Sequence, residues 1–425
     1  MPPTLPELRQ TMYDLLQDVN GLRREIYAMP TPGSGAHAIP QDRWEALVQA
    51  EKKLADAEKD LAAAEEPADP IISTKKDSLF LGMDSTGLEV TVNLTMSPVP
   101  TSFYHLLEKN QDPLVICTVQ FLKDTHNTPA GVTPIRRVRV TSFIEGYSAR
   151  AVDTVELKLN QKKEFRQSPT LFPRRMRKIR ELTSATLNVM VEDLDTHRVE
   201  IHKTSPVRLL ARQAALLEVK NPQTGQSVDL KPYLAAFVTP NDKRVLTFLN
   251  AAVEKHPRRH LVGYNNLSER DASGNVIPKN DIVTSQVQAI YEALQAAGIT
   301  YVDSIVYFNP DSSATGQRLR LPRESLRAKQ ANCLDGAVLF ASLLEAASLS
   351  PAIAIAFGHA VVGWETWRGS GEWSYLETTW IKDHPFTEAC KCAEEWVTQM
   401  ALLAGEAKRL EIRSLRTVNK ITPIE

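Results

Sequence analysis

An alanine-rich, strongly apolar stretch over residues 331–346 constrains the fold more than any other part of this 425-residue chain. The length and apolar composition of the stretch predict a helix. One cysteine, Cys333, stands at the start of this predicted helix. The first N–H groups of a helix are unpaired and carry the positive end of its dipole, which favours a thiolate. Cys333 is therefore a candidate nucleophile.

Two strand-like runs follow this helix, and each carries one residue that a cysteine nucleophile needs. The apolar run over residues 351–357 leads into His359, and the run over residues 373–379 contains Glu377. A free thiol has a pKa of about 8.5, so a catalytic cysteine needs a base that takes its proton. His359 is the candidate base. Glu377 is the candidate that holds the imidazole by its other nitrogen, because neighbouring antiparallel strands bring side chains within reach.

A reaction at Cys333 also requires hydrogen-bond donors for the developing oxyanion. The backbone N–H of Cys333 is expected to be one of them, because the first N–H groups of a helix have no intrahelical partner. Gln330 and Gln317 are both candidates for the second donor, and the sequence does not choose between them.

The remaining histidines and cysteines predict neither a metal site nor a cofactor. His197 and His202 bracket Glu200, but the spacing differs from the His-Glu-x-x-His of a zinc helix, and in a strand the two histidines would point to opposite faces. Cys390 and Cys392 are two residues apart on a predicted helix and diverge by about 200°, which makes them poor ligands for one metal.

The segments that contain Cys333, His359 and Glu377 resemble the core motifs of bacterial transglutaminase-like proteins. That superfamily contains transglutaminases, peptide N-glycanases and cysteine peptidases on a papain-like fold. The resemblance covers residues 235–424, and its motifs are Asn332-Cys333-x-Asp335-x-Ala337-x-Leu339-Phe340-Ala341-x-Leu343-Leu344, then Gly358-His359-Ala360, then Leu376-Glu377-Thr378-Thr379. It implies that Cys333 is the nucleophile, His359 the base and Glu377 the group at a position usually held by aspartate. Leu334 replaces a tryptophan that is common in animal transglutaminases, which argues against a close match to that branch.

The resemblance implies a cysteine-dependent hydrolase, a peptidase or amidase, that acts on a protein or peptide through a Cys333 acyl-enzyme. Two alternatives stay open. The acyl-enzyme could be resolved by an amine instead of water, which would make the protein a transglutaminase. The domain could also be a recognition module that retains the fold without catalysis, although intact Cys333, His359 and Glu377 argue against this.

The first 68 residues predict an antiparallel coiled-coil hairpin. Apolar residues recur at steps of three and four in two segments, which is the pattern of a heptad seam. The seam residues are Leu8, Met12, Leu15, Val19, Leu22, Ile26 and Met29 in the first segment, and Leu47, Ala50, Leu54, Ala57, Leu61 and Ala64 in the second. Either the two seams satisfy each other, or the hairpin serves self-association or the docking of a protein partner.

Residues 80–205 predict an immunoglobulin-like β-sandwich. From Leu88 the apolar period changes to two, and further strand-like runs occur at residues 114–121, 136–144, 155–159, 186–191 and 199–202. Cys117 lies within a strand and is expected to be a core residue. The basic segment over residues 173–180 is interpreted as a solvated face. Residues 206–425 are expected to form the transglutaminase-like catalytic domain that the resemblance implies, so the expected fold class is a multidomain α+β protein.

The overall charge favours neither nucleic acid nor an anionic membrane as a partner. The 50 Lys and Arg residues balance 51 Asp and Glu residues, which leaves a net charge of -1. The sequence shows no segment typical of a transmembrane helix or a signal peptide, and four cysteines are too few for a disulfide framework. We therefore expect a cytoplasmic protein.

Overall fold

The computed structural model shows a mixed α/β protein that divides into two compact units. It describes residues 41–64, 87–109, 112–124, 128–129, 131–195, 197–220, 227–265, 270–271, 273–302, 314–356, 359–404 and 408–424, with scattered positions between 3 and 25. The β unit comprises residues 66–230 and 307–317, and the α/β unit comprises residues 1–65, 231–306 and 318–425.

The strand pairs of the β unit are mainly antiparallel. One sheet has the order β1-β2-β5, a second has the order β4-β3-β6-β7, and a third has the order β11-β8-β9. The strands are β1 (Leu88–Leu94), β2 (Val115–Phe121), β3 (Ile135–Ile144), β4 (Ala151–Lys158), β5 (Lys162–Gln167), β6 (Thr183–Asp193), β7 (Arg198–Leu209), β8 (Ala214–Lys220), β9 (Ser227–Asp229) and β11 (Ala314–Arg318). The first two sheets share one hydrophobic core, to which Val119 of β2 and Val140 of β3 both belong.

Alternation between buried and exposed residues explains most of these strands. In β2 every second residue is buried, and Cys117 is one of them, as predicted. β5 was not predicted, because its residues are mainly charged and only Phe165 and Gln167 are buried. β7 continues to Leu209, so the predicted domain boundary after residue 205 falls inside a strand.

The basic segment begins with a short helix, α2 (Pro173–Met176), rather than a loop. Met176 and Ile179 are buried against the core, whereas the arginines and the lysine of the segment are exposed. His197 lies in the turn before β7 with a positive φ of 54°. His202 lies in β7, where its Nε2 atom is 2.9 Å from Oδ1 of Asn188.

Helix α1 (Gln41–Ala64) and the described positions between residues 7 and 25, which are also helical, belong to the α/β unit. Nη1 of Arg43 lies 2.8 Å from Oε2 of Glu25, so the start of α1 contacts the described end of the first segment. The buried seam residues are Leu8, Val19, Leu47 and Ala57. The predicted loop, the seam positions Met12, Ile26 and Met29, and the side chains of Leu61 and Ala64 lie outside the described residues.

A four-stranded antiparallel sheet with the order β15-β14-β13-β16 forms the centre of the α/β unit. Besides α1, the helices and strands of this unit, with the four strands of the sheet among them, are α3 (Lys243–Lys255), α4 (Lys279–Ala296), β10 (Thr300–Tyr301), α5 (Pro322–Ala328), β12 (Gln330–Ala331), α6 (Cys333–Ala346), β13 (Pro351–Ala356), β14 (His359–Glu365), β15 (Trp373–Leu376), α7 (Phe386–Ala404), β16 (Lys408–Glu411) and α8 (Ile412–Thr417). Every residue of α6 from Cys333 to Leu344 is buried, because this helix packs against β13 and β14. None of the helices in the described part of the chain is long and apolar enough to cross a membrane.

The sequence over residues 409–415 also predicts a closing strand, but only the first part of this segment is one. β16 pairs with β13 as far as the Ala352–Glu411 pair, next to the start of β13 at Pro351. The chain then continues as α8, where Arg416 forms two hydrogen bonds of 2.8 and 2.9 Å with the Glu345 carboxylate. Residues 301–308 also predict a strand, and the described residues cover only its start, in β10.

A buried ion pair in the β unit gives a stability prediction. Nε of Arg136 lies 3.1 Å from Oδ2 of Asp193, and both side chains are almost fully buried. Arg136→Met should lower the free energy of unfolding by about 3–5 kcal/mol, because it leaves a buried carboxylate without its cation. The matched control is Arg137→Met, which removes an exposed pair with Asp195 and should cost far less, because solvent screens an exposed ion pair. Equal urea-unfolding midpoints for the two variants would contradict the prediction.

Candidate active site

The helix that carries Cys333 begins with a complete capping box. Asn332 is the N-cap residue, and its Oδ1 atom accepts a hydrogen bond of 2.7 Å from the Asp335 N–H. Oδ2 of Asp335 accepts in return from the Asn332 N–H at 3.3 Å. These reciprocal bonds satisfy two N–H groups that a helix start leaves unpaired. They fix the first turn, and Cys333 is its first helical residue.

Three adjacent strands bring a histidine and a glutamate together at one end of the sheet. His359 is the first residue of β14 and lies opposite Ala356 of β13. Glu377 follows β15 directly, and the last pair of β14 with β15 is Val362 with Leu376. Nε2 of His359 lies 2.7 Å from Oε2 of Glu377, and both side chains are buried.

The second oxygen of Glu377 is held by Thr379. Oε1 accepts from the Thr379 N–H at 2.9 Å and from the Thr379 hydroxyl at 2.8 Å, so Glu377 also caps the 3₁₀ helix over Thr378–Trp380. The backbone N–H of Glu377 donates to the Ala389 carbonyl of α7 at 3.1 Å. With its backbone and one oxygen held by these contacts, the carboxylate has little freedom to leave His359.

The electrostatics of this cluster favour a protonated imidazole. Burial opposes the charged ring, but the Glu377 carboxylate and the Cys333 side chain, which hydrogen-bonds to the ring, outweigh it and raise the pKa of His359 to about 10. Because Nε2 is engaged by Glu377, we infer that Nδ1 is the ring nitrogen that faces the thiol. The cluster therefore holds a cation between an anionic carboxylate and an ionisable thiol.

Trp396 of α7 covers the imidazole. Its ring packs edge-on against His359, with ring centroids 5.2 Å apart and an interplanar angle of 83°. The exposed fractions are 7% for Cys333, 4% for His359 and 1% for Glu377. Water is therefore largely excluded from the three groups, which strengthens their mutual interactions.

The two Gln residues predicted as oxyanion donors lie in different units. Gln330 is in β12, three residues before Cys333, and its side chain is exposed. Gln317 is in β11 and belongs to the β unit. The oxyanion role of both residues stays a prediction. Among the described residues, no group of three or more His, Cys, Asp or Glu side chains could hold a metal ion.

Sequence reasoning missed several residues that support the three side chains. Asp335 was part of a motif without a role, yet the spacing from Asn332 is that of a capping box and signals the helix start. Thr379 could have been found from its place two residues after Glu377, where a side-chain cap is common. Trp396 packs on His359, and Nη1 of Arg320 donates to Oδ2 of Asp335. Neither residue carries a local sequence signal, because these contacts depend on how distant segments pack.

No protein-family model matches this chain, and no curated protein matches it either.

A glycine in the first turn of α6 permits the close approach that assembles the site. A Cβ atom at Gly336 would lie 2.5 Å from Oγ1 and 3.0 Å from Cβ of Thr378, the residue after Glu377. Gly336→Ala should therefore push the helix away from the Glu377 turn, slow alkylation of Cys333 and cost about 1–3 kcal/mol of stability, despite a gain of about 1 kcal/mol in helix propensity.

The matched control for Gly336→Ala is Gly21→Ala. Gly21 is also helical, but an added Cβ there meets no atom of the described residues within 4 Å. Urea unfolding and the rate of Cys333 alkylation are measured for both variants. A Gly336→Ala protein as stable and as reactive as the wild type would show that the helix and the turn do not need this contact.

Proposed function

We propose that the chain is a cysteine-dependent hydrolase, a peptidase or amidase that acts on a protein or peptide substrate. Cys333 is the nucleophile, His359 the acid and base, and Glu377 the orienting carboxylate. The observation that carries the proposal is the buried chain of contacts from the Cys333 thiol through His359 to Glu377, at the start of a capped helix. A cysteine that served only packing would not need a carboxylate-held imidazole beside it.

The first half of the proposed reaction forms an acyl-enzyme. The thiol transfers its proton to the imidazole, which gives a thiolate and an imidazolium that Glu377 stabilises. The thiolate attacks the carbonyl carbon of the substrate amide, and the carbonyl electrons move to oxygen. The N–H of Cys333 is a donor to this oxyanion, because the first N–H groups of α6 have no intrahelical acceptor. The imidazolium then gives its proton to the leaving nitrogen as the C–N bond breaks.

The second half regenerates the enzyme. His359, now neutral, takes a proton from water as the water oxygen attacks the thioester carbonyl. The tetrahedral intermediate collapses, the C–S bond breaks, and the carboxylic acid product leaves the thiolate paired with the imidazolium. Glu377 keeps the ring in place through both halves, because its hydrogen bond is made to Nε2 while the proton moves at the other nitrogen.

Acyl transfer to an amine is the second candidate, and it shares every step as far as the acyl-enzyme. The burial of the cluster is the observation that favours it, because a site that excludes water gives an amine a better chance to resolve the thioester. A recognition module without catalysis is the third candidate. Proteolysis of fluorescent casein, compared with incorporation of dansylcadaverine into unlabelled casein, distinguishes the first two activities. Failure of both, together with a Cys333 that resists alkylation, would favour the third.

The proposal extends to the fold of each part. We infer a transglutaminase-like, papain-like fold for the part of residues 206–425 that belongs to the α/β unit, which the buried cysteine helix packed on an antiparallel sheet supports. The core shared by two antiparallel sheets supports an immunoglobulin-like sandwich within the β unit. The buried seam residues and the Arg43–Glu25 pair support a hairpin for residues 1–68, which is also the proposed surface for self-association or a protein partner.

Selective alkylation tests the nucleophile. Cys390 is more exposed than Cys333, but burial raises its pKa and that of Cys392, and raises the pKa of Cys117 to about 12. Limiting iodoacetamide at pH 6.5 should therefore label Cys333 first, because its thiolate is held by His359 and the helix end. Peptide mapping identifies the labelled thiol. Preferential labelling of Cys390 would show that exposure governs reactivity and would remove Cys333 as nucleophile.

Removal of the orienting carboxylate tests the role of Glu377. Glu377→Gln should lower casein turnover by about ten- to a thousand-fold, less than the corresponding loss in a serine triad, because a thiolate–imidazolium pair is already charge-separated in the ground state. Cys333→Ala should abolish turnover. The matched control is Glu372→Gln at an exposed glutamate near β15, and thermal unfolding checks that each variant is folded. Undiminished turnover in Glu377→Gln would exclude this residue from the reaction.

A further inference from the structure

A buried carboxylate lies in the first turn of the nucleophile helix, although the proposed reaction does not use it. Asp335 is two residues after Cys333, and its exposed fraction is 1%. Residues two apart on a helix diverge by about 200°, so this carboxylate faces away from the thiol. Its negative charge is nevertheless within one helical turn of Cys333, where it opposes formation of a thiolate.

Arg320 supplies the cation for this carboxylate. The backbone N–H of Arg320 donates to Oδ1 of Asp335 at 2.7 Å, and Nη1 of the same residue donates to Oδ2 at 2.9 Å. Asp335 also accepts from the Asn332 N–H in the capping box. Burial raises the pKa of Asp335, whereas the N–H groups of Arg320 and Asn332 and the Arg320 guanidinium oppose that rise and favour the ionised carboxylate.

We propose that Arg320 is a positioning residue which, by pairing with Asp335, cancels a negative charge beneath Cys333 and so preserves the thiolate. This inference rests on the proposed function, because only a nucleophilic Cys333 needs its thiolate. The capping box requires an acceptor at residue 335, and a carboxylate is a strong one. Arg320 therefore allows the helix to keep that cap while the positive end of its dipole still acts on the thiol.

The other charged groups around this turn set the baseline against which Arg320 acts. His359 of β14 contacts the thiol, and Glu377, at the start of the 3₁₀ helix, contacts His359. Glu324 of α5 accepts from the Leu321 N–H next to Arg320 at 3.2 Å. These groups are the same in every variant below, so a shift between variants reports the Arg320–Asp335 pair.

The experiment measures the rate of Cys333 alkylation by iodoacetamide from pH 5 to pH 10 in the full chain. Arg320→Met should raise the midpoint of the profile by about one pH unit, because the Asp335 charge is no longer compensated. Asp335→Asn should lower the midpoint, because the positive charge of Arg320 is then no longer offset by the Asp335 carboxylate. The double variant should return close to the wild-type midpoint, and Arg320→Lys should stay close to it. The matched control is Arg323→Met, which removes a nearby exposed arginine and should leave the midpoint unchanged.

Shifts of opposite sign that cancel in the double variant support the proposal. A purely structural role would lower stability and alkylation rate in both single variants without moving the midpoints in opposite directions. Arg320→Met and Asp335→Asn midpoints that coincide, or that shift the same way, overturn it. The readout is alkylation and not turnover. An inactive protein with the expected shifts would therefore contradict the proposed function alone, and an active protein without them would contradict this inference alone.

Discussion

The hydrogen bond between His359 and Glu377 is the interaction on which the candidate site depends. Burying an imidazolium without an anion, or a carboxylate without a cation, has a high desolvation free energy. Each group offsets the desolvation free energy of the other. Removing one partner of such a buried pair costs about 3–5 kcal/mol in other proteins. The 2.7 Å contact therefore has a structural as well as a proposed chemical role. It connects the start of β14 with the end of β15. It thereby fixes the end of the sheet that lies next to Cys333.

Helix α6 and the sheet have to pack closely so that His359, at this end of the sheet, contacts the Cys333 thiol. Gly336 permits that approach at Thr378, and the capping box of Asn332 and Asp335 determines where the helix begins. The apolar residues from Leu334 to Leu344 supply the burial that holds the helix against β13 and β14. The position of Cys333 thus depends on packing along the whole helix. Cys333, His359 and Glu377 lie only at the N-terminus of that helix.

Much of the local structure could be predicted from the sequence, because its signals are local. The alternation in β2, the apolar run of β13 and the start of α6 at a cysteine all follow from periodicity and capping. The prediction failed where a signal was weak or came from elsewhere in the chain. β5 is mainly charged and is a strand because it pairs with β2. The end of β16 depends on where β13 begins, which the sequence of β16 itself does not contain.

The glutamate at position 377 illustrates what pattern alone could not explain. The family resemblance leads us to expect an aspartate at this position. A glutamate has a longer side chain, so its backbone has to lie further from the histidine. The structure resolves this through the backbone, since Glu377 lies beyond the last pair of β15 and begins a 3₁₀ helix. One oxygen caps that helix through Thr379, and the other reaches His359. An aspartate on the same backbone, one methylene shorter, would have less reach to satisfy both partners at once. The longer side chain of Glu377 therefore lets one oxygen cap the 3₁₀ helix while the other contacts His359. Because Thr379 holds the capping oxygen, it also helps to position His359.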